Sequence, residues 1–421
     1  MASAALWIYR IALSAALPLA APWLLLRASL AGKRRPALRR RFGFGLPPIP
    51  KGGVWVQAVS VGEVGVARPL LTELRRRHPA LPLVLSSTTA TGLASASGAQ
   101  LADVVVPFPI DLRGPVHRVL DAAKPRLVVL VETELWPELL AACEEGDIPV
   151  AIANARVSDR SFRGYKALRP LLGSLLRPVT LALAQSDQDA ERLIALGIPA
   201  ARVRVAGNIK FDAKPPERQP TIVEELRALA AGRKVLVAGS TMAGEERIVL
   251  DALLRIPADR RPMLVLAPRH PERSRQALEE ATARALKTAR RTLLPRDPAS
   301  CEVVILDTIG ELASLYGLAS IAFVGGSLVP TGGHNPIEAA RFGVPILTGP
   351  HVRNFAAVYR DFLAVGAAIV VRDTAELTKA LVSWLSEPAR ASVAGEAGRG
   401  LLAANAGATS RVAEALACYL A

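Results

Sequence analysis

Short apolar runs alternate with segments of helical periodicity along most of this chain of 421 residues. The runs are rich in β-branched residues, and such runs with helices between them are typical of parallel sheets that are covered on both faces. In the first half, the predicted strands lie at 54–59, 83–86, 104–108, 127–131, 150–153 and 181–184. After a polar linker that contains three prolines, further strands are predicted at 235–238, 263–267, 303–306, 321–324, 345–347 and 369–371.

This repeated pattern predicts both the fold class and the domains. We expect an α/β protein with two Rossmann-like, doubly wound parallel-sheet domains that face a cleft. The first domain would span residues 52–214 and the second residues 215–421, with the last helix able to pack back on the first domain.

An apolar stretch near the amino terminus predicts attachment to a membrane. Residues 11–26 are apolar, although Pro18 and Pro22 interrupt them, and a full span needs about 20 residues. Residues 1–51 carry nine basic and no acidic side chains, which fits the anionic cytoplasmic surface of a membrane. We expect residues 1–32 to be an uncleaved anchor with a basic flank, and the rest of the chain to be cytoplasmic. A cleaved signal peptide and a buried amphipathic helix are the alternatives.

The chain is basic, with 52 Lys and Arg against 37 Asp and Glu, and its formal net charge is +15. A hydrophobic fraction of 51% excludes an intrinsically disordered chain. Nucleic-acid binding is disfavoured, because most of the excess positive charge lies in the amino-terminal segment and is not interleaved with aromatic residues. The three cysteines lie far apart, and the sequence has no zinc-binding, P-loop or GxGxxG motif. We therefore expect no disulfide framework, no metal and no cofactor.

Acidic side chains follow two predicted strands of the first half. Ligands of doubly wound sheets bind beyond the carboxyl ends of the strands. Glu63 lies at the start of a predicted helix, where it either interacts with the helix dipole or serves as a general base. Glu132 and Glu134 leave the strand at 127–131, and alternation along an extended segment would place both carboxylates on one side. Their proximity would raise the pKa of at least one of them.

A glycine-rich segment of the second half, residues 325–340, is predicted to bind a phosphorylated ligand. Asn335 suits the cap and Pro336 the first position of a helix, whose backbone N–H groups can receive phosphate. Glu338, on the first turn, would accept hydrogen bonds from ribose hydroxyl groups.

Three other polar sites at strand ends add to the candidates. Arg269 suits bidentate binding of an anion, and Ser240 and Thr241 supply hydroxyl groups. Lys210, near the end of the first domain, is either a solvated lysine or a group that reaches across the cleft.

Several segments carry a resemblance to a known family: SVGE at 60–63, ETELWP at 132–137, ANAR at 153–156, GNIKFD at 207–212, PRHPER at 268–273 and GGSLVPTGGHNPIEA at 325–339. Together they resemble the 3-deoxy-D-manno-octulosonic acid (Kdo) transferases of Gram-negative bacteria, which are inverting glycosyltransferases with the two-domain GT-B fold. Their order and spacing run through nearly the whole chain. Gln57 and Met242 depart from the family pattern, since both positions often hold histidine in the family.

The resemblance implies transfer of Kdo from CMP-Kdo to a lipid A precursor, lipid IVA, in lipopolysaccharide core biosynthesis at the cytoplasmic face of the inner membrane. Glu63 would be the general base, and Glu132 and Lys210 would stabilise the transition state. The implied donor-binding residues are Pro268, Arg269, Ile309, Gly310, Glu311, Asn335, Pro336, Ile337 and Glu338. Further possible site residues are Ser240, Thr241, Gly333, His334 and Glu134.

The partners implied are therefore CMP-Kdo, the lipid acceptor and membrane lipids, without a metal, a cofactor, a nucleic acid or a specific protein partner. Two other functions stay open on the residues alone. One is a different GT-B lipid glycosyltransferase with a UDP-sugar donor. The other is a membrane-anchored basic protein that binds nucleic acid.

Overall fold

The computed structural model describes residues 4–13, 35–98, 100–212, 221–294 and 301–420. The chain forms two compact units, one of residues up to 213 together with 405–421, and the other of residues 214–404. Residues 405–421, which the predicted second domain includes as a last helix able to pack back on the first domain, cluster with the first unit. The linker expected at 215–220 lies outside the described residues.

The first unit is built on a sheet of seven parallel strands. The strands are β1 (Val54–Gln57), β2 (Leu83–Ser87), β3 (Val104–Pro107), β4 (Leu127–Val131), β5 (Val150–Ala155), β6 (Val179–Ala184) and β7 (Val203–Val205). Their order in the sheet is β3-β2-β1-β4-β5-β6-β7. Strands β1, β2, β4 and β5 are buried along their whole length, and buried parallel strands read as continuous apolar runs.

Helices cover both faces of this first sheet. They are α1 (residues 4–13), α2 (Arg35–Arg41), α3 (Val61–Arg77), α4 (Ala90–Gly98), α5 (Arg113–Ala123), α6 (Pro137–Glu145), α7 (Asp159–Ala167), α8 (Arg169–Leu176), α9 (Asp187–Leu196) and α18 (Ala408–Ala417). On one face, Leu70 and Leu74 of α3 share an apolar core with Val412 and Leu416 of α18. The last helix of the chain therefore completes the core of the first unit.

The second unit repeats the architecture. Its strands are β8 (Val235–Thr241), β9 (Met263–Pro268), β10 (Thr288–Arg290), β11 (Val303–Ile305), β12 (Ile321–Val324), β13 (Ile346–Thr348) and β14 (Ala368–Val370), in the order β10-β11-β9-β8-β12-β13-β14. All neighbouring strands are parallel. The helices are α10 (Thr221–Ala230), α11 (Glu245–Leu254), α12 (Ser274–Thr282), α13 (Leu312–Leu315), α14 (Ile337–Ala340), α15 (Ala356–Ala364), α16 (Thr374–Ser386) and α17 (Pro388–Ala404).

The two parallel sheets confirm the predicted α/β architecture. Strands β7 and β10 were not among the predicted strands. Each has three residues, lies at a sheet edge and carries an arginine, so neither forms an apolar run. A strand at the edge of a sheet is buried less completely than a central strand. It therefore does not need the continuous apolar run by which central strands are recognised in the sequence.

The amino-terminal helix α1 packs on the first unit. Ala5 and Leu6 are buried. The hydroxyl of Tyr9 donates to Asp111 at 2.9 Å, and Arg10 donates to both carboxylate oxygens of Glu138 at 2.5 and 3.0 Å. Most of the expected anchor of residues 1–32 lies outside the described residues, because only residues 4–13 of it are described. Within the described part of the chain, none of the helices combines the length and the apolar character that a membrane crossing requires.

Candidate functional site

The carboxylate of Glu63 lies at the start of α3, directly after β1. Its Oε2 accepts a hydrogen bond from the N–H of Val59 at 2.5 Å, and its Oε1 accepts one from the hydroxyl of Ser60 at 3.1 Å. Ser60 is the extended N-cap residue of α3, and its side chain makes no hydrogen bond to the helix backbone. Glu63 lies in the first turn, where the helix dipole favours a carboxylate. The helix-start role considered from the sequence is thus present in the structure.

Burial gives the same carboxylate an unusual proton affinity. Glu63 is 9% exposed, and burial, aided by the negative charges of Glu134 and Glu132, raises its pKa to about 7. The hydrogen bonds from Val59 and Ser60 act in the opposite direction. A carboxylate with this pKa can accept a proton from a bound hydroxyl group near neutral pH.

Glu132 adopts a strained backbone conformation at the end of β4. Its φ is +62°, in the left-handed region that is costly for a residue with a side chain. The segment 132–134 is therefore not regularly extended, and the alternation used to place Glu132 and Glu134 on one side does not apply. Both carboxylates nevertheless act on Glu63, and burial together with the charge of Glu132 raises the pKa of Glu134.

Lys210 pairs with Glu132, with 2.8 Å between Nζ and Oε1. The ion pair is mostly buried, so the interpretation of Lys210 as a solvated lysine is wrong. Glu132 therefore combines a strained backbone with a carboxylate that is paired to a cation. It lies at the carboxyl edge of the sheet, where ligands of this fold class bind.

The short helical turn Ile209–Asp212 positions Lys210. The side-chain oxygen of Asn208 accepts from the N–H of Lys210 at 3.0 Å, and that of Asn154 accepts from the N–H of Ile209 at 2.9 Å. Asp212 accepts from the N–H groups of Gly407 and Thr409 and thereby caps α18. The GNIKFD segment thus joins the candidate site to the last helix.

Asn154 joins the candidate site, although it is not among the residues predicted from the sequence. It is fully buried at the end of β5 with a φ of +57°. The ANAR segment was noted only for its resemblance. A polar asparagine within a buried strand was the available signal, since Asn tolerates the left-handed conformation better than other residues with side chains.

The glycine-rich segment of the second unit follows β12 and leads into α14. The Oδ1 of Asn335 accepts from the N–H of Ile337 at 3.1 Å, and its Nδ2 donates to Glu338 at 3.3 Å. The helix has only four residues and begins at Ile337, with Pro336 as its N-cap, so the expected placement of Asn335 as the cap and Pro336 at the first helical position is shifted by one residue. Burial raises the pKa of Glu338.

His334 lies beside the exposed residues Arg269 and His270, which follow β9. Burial, together with the charges of Arg269 and His270, lowers the pKa of His334 to about 4, so the imidazole is neutral at pH 7. Its Nε2 is buried and has no hydrogen-bond partner among the described residues. Arg269 also acts on Glu338. The structure therefore brings Arg269, His334 and Glu338 together.

The remaining candidates of the second unit differ in what they offer. Thr241 is fully buried and its hydroxyl bonds to Glu246 at 3.2 Å, whereas Ser240 has a left-handed backbone with a φ of +55°. Ile309 is 85% exposed. Glu311 pairs with Arg291 at 3.2 Å, so its carboxylate already has a cation. The other three candidates are Pro268, the last residue of β9, and Gly310 and Gly333, which both have positive φ.

The described residues include no group of three or more His, Cys, Asp or Glu side chains that could hold a metal ion. The chemistry that these residues offer is acid–base chemistry from Glu63, charge stabilisation from Lys210 and Arg269, and hydrogen bonding from the segment 333–338.

The chain is similar to known proteins along nearly its whole length. Residues 36–213 match the family model described as 3-Deoxy-D-manno-octulosonic-acid transferase (kdotransferase). A 3-deoxy-D-manno-octulosonic acid transferase from Bordetella pertussis is 38% identical over 98% of this chain and 99% of its own length. The enzyme of the same name from Haemophilus influenzae is 34% identical over 92% of each chain.

The fold has relatives among solved structures. The crystal structure of UDP-GlcNAc 2-epimerase from Neisseria meningitidis matches with a TM-score of 0.56 at 16% identity, and covers 87% of this chain and 100% of that one. At this identity the match establishes the shared two-sheet, GT-B-like fold and nothing about chemistry.

Proposed function

The chain belongs to the 3-deoxy-D-manno-octulosonic acid transferase family and is a glycosyltransferase, and from this premise we propose its reaction. It transfers Kdo from CMP-Kdo to a lipid A precursor, lipid IVA, with inversion at the anomeric centre. The observation that carries the proposed mechanism is Glu63, a carboxylate that is only 9% exposed in the first turn of α3, directly after β1, and whose pKa is raised to about 7.

The first unit would act on the acceptor. A sugar hydroxyl group is a poor nucleophile until it loses its proton, and Glu63 in its ionised form would take that proton as the oxygen attacks the anomeric carbon. Lys210 and Glu132 form a fixed ion pair next to this base. The pair would stabilise charge that develops in the transition state, because its members are already oriented before the reaction begins.

The second unit would hold the donor. The bond from the anomeric carbon to the phosphate oxygen breaks with its electron pair going to CMP, and this phosphate is a weak base that needs no general acid. The guanidinium of Arg269 would bind the phosphate, and Asn335 and Glu338 would hydrogen-bond the nucleoside. The donor contacts of Ile309, Gly310 and Glu311 that the family resemblance implies belong to the same proposal.

Membrane attachment is part of the proposed function, because the acceptor is a lipid. Helix α1 exposes Trp7, Ile8 and Ile11, at 57%, 55% and 66% of their surface. Aromatic and aliphatic side chains on one helix, followed in the chain by basic residues, fit the interface of an anionic bilayer. We place the protein at the inner membrane, with both units on the cytoplasmic face.

One assay tests the reaction directly. The protein is incubated with lipid IVA, Kdo and a CMP-Kdo-generating system, and the products are weighed by mass spectrometry. The expected result is a lipid whose mass has increased by one or more Kdo units. Parallel reactions supply UDP-sugars as donors. Transfer from a UDP-sugar, with none from CMP-Kdo, would overturn the proposal in favour of a different lipid glycosyltransferase.

A further inference from the structure

The carboxylate of Glu245 is fully buried in the second unit, where it meets a cluster of backbone N–H groups. Glu245 is the first residue of α11. Its Oε2 accepts from the N–H of Met242 at 2.8 Å and of Gly326 at 2.6 Å. Its Oε1 accepts from Ser327 at 2.9 Å and Leu328 at 2.8 Å. The carboxylate therefore has four backbone donors.

These donors compensate the cost of burying a negative charge. An isolated carboxylate is expensive to remove from water, whereas N–H donors and the amino end of a helix both favour its ionised form. Three of the donors come from the loop that follows β12, and the fourth comes from the turn between β8 and α11. Glu245 thus ties the loop to the turn.

The close approach of the loop to Glu245 explains why the loop begins with two glycines. A Cβ atom at Gly325 would lie 2.6 Å from the carbonyl oxygen of Ser240 and 2.9 Å from Oε2 of Glu245. Gly326 has a φ of +69°, a conformation that glycine adopts at little cost. The loop approaches Glu245 this closely because neither residue has a side chain.

Hydrogen bonds within the loop connect the double glycine at 325–326 to the candidate donor residues. The carbonyl of Gly326 accepts from the N–H of Gly333 at 2.6 Å and from the hydroxyl of Thr331 at 2.8 Å. The carbonyl of Gly325 accepts from the N–H of His334 at 3.1 Å. A shift of the double glycine would therefore move His334 and the residues that follow it.

We propose that Glu245 is a positioning residue for the nucleotide donor, an internal anion that fixes the loop 325–334 in the shape that presents His334 and Asn335. The inference rests on the proposed function and deepens it. The N–H groups of Gly326, Ser327 and Leu328 are occupied by the carboxylate of Glu245, so they do not receive the phosphate of CMP.

The primary test is Glu245→Gln, which conserves volume. The amide NH₂ group of glutamine would face backbone N–H donors, so hydrogen bonds on that side of the side chain are lost. We expect the dissociation constant for CMP, measured by calorimetry, to rise about tenfold, the equivalent of roughly one hydrogen bond. Glu302→Gln is the matched control, since Glu302 also accepts a backbone N–H, from Lys287, but lies at the amino end of β11. Its CMP affinity should stay near that of the parent.

Chemical rescue separates positioning from a general loss of packing. Glu245→Ala leaves a space the size of a small carboxylate, and added formate should restore CMP affinity in a saturable manner. Formate should not change the CMP affinity of the parent or of Glu302→Ala.

Three results would overturn the inference: a folded Glu245→Gln protein that binds CMP as the parent does, a Glu245→Ala protein that does not respond to formate, or failure of both variants to fold. A parent that binds no CMP would instead overturn the proposed function, and this inference with it.

Discussion

Glu63 combines two tasks within one side chain. Its oxygens satisfy the N–H of Val59 and the hydroxyl of Ser60 at the start of α3, and its burial raises its pKa to about 7. At neutral pH such a group is ionised in about half of the molecules and is still basic enough to remove a proton efficiently. A carboxylate at the surface would be ionised but a weaker base, so burial is what suits Glu63 to the general-base role that we propose.

The first prediction concerns Glu63→Gln. The amide oxygen of glutamine can still accept the hydrogen bond from the N–H of Val59, so the melting temperature should stay close to that of the parent. The proton acceptor is lost, and the rate of Kdo transfer should fall by about 10²–10⁴-fold. Calorimetry with CMP should show unchanged binding, because the proposed nucleotide contacts lie in the other unit. Transfer within a few-fold of the parent rate would end the case for Glu63 as the base.

The second prediction concerns pH. A general base works in its deprotonated form, so kcat/KM should rise with pH and level off above the pKa of Glu63, about 7. The negative charge of Glu134 contributes to that raised pKa. Glu134→Gln removes the charge, lowers the pKa of Glu63 and should move the rising limb to lower pH. A pH profile recorded for both proteins checks the shift, and an unmoved limb would show that Glu134 does not influence the base.

At the scale of elements, the central strands were predictable because they are buried on both faces and therefore uniformly apolar. The contacts that shape the candidate site could not be predicted in this way. Glu132 has a positive φ that no local pattern requires, and Glu245 meets Gly326 across 81 positions of the sequence. The capping role of Asp212 could not be predicted from the GNIKFD segment either, because the helix that Asp212 caps begins almost 200 residues later. Such roles arise from tertiary contacts, which a linear pattern does not contain.

The third prediction tests that cap. Asp212→Ala removes the acceptor for the N–H groups of Gly407 and Thr409 at the start of α18, at a cost of about 0.5–2 kcal/mol of local stability. Hydrogen exchange in residues 408–417 should become faster, while exchange in the second unit should not change. Asp187→Ala is the control, because Asp187 lies in the first turn of α9, where Ser186 is the capping residue. Equal protection of α18 in the parent and Asp212→Ala would contradict the capping role.

At the scale of the whole molecule, the similarity to the family extends over nearly the full chain, whereas the membrane attachment that we propose concerns the amino-terminal segment. Helix α1 is tied to the first unit through Arg10 and Glu138, and its apolar side chains Trp7, Ile8 and Ile11 remain exposed. The sequence predicted an apolar anchor but not the ion pair, because Arg10 read only as one of the basic residues that flank an apolar stretch.

The fourth prediction is that deleting residues 1–30 releases the protein from membranes and spares both units. The full chain should sediment with the membrane fraction, and the truncated chain should remain in the supernatant after high-speed centrifugation. Its CMP affinity should equal that of the parent, because the candidate donor residues all lie within 214–404.

The deletion also removes Arg10 and leaves the buried carboxylate of Glu138, which is 3% exposed, without this cation. The expected cost is about 1–3 kcal/mol of stability. Glu138→Gln in the truncated chain removes the unpaired charge and should recover part of the lost melting temperature. A truncated protein that still sediments with membranes would place the attachment elsewhere in the chain, and one that does not fold even with Glu138→Gln would show that α1 belongs to the core of the first unit.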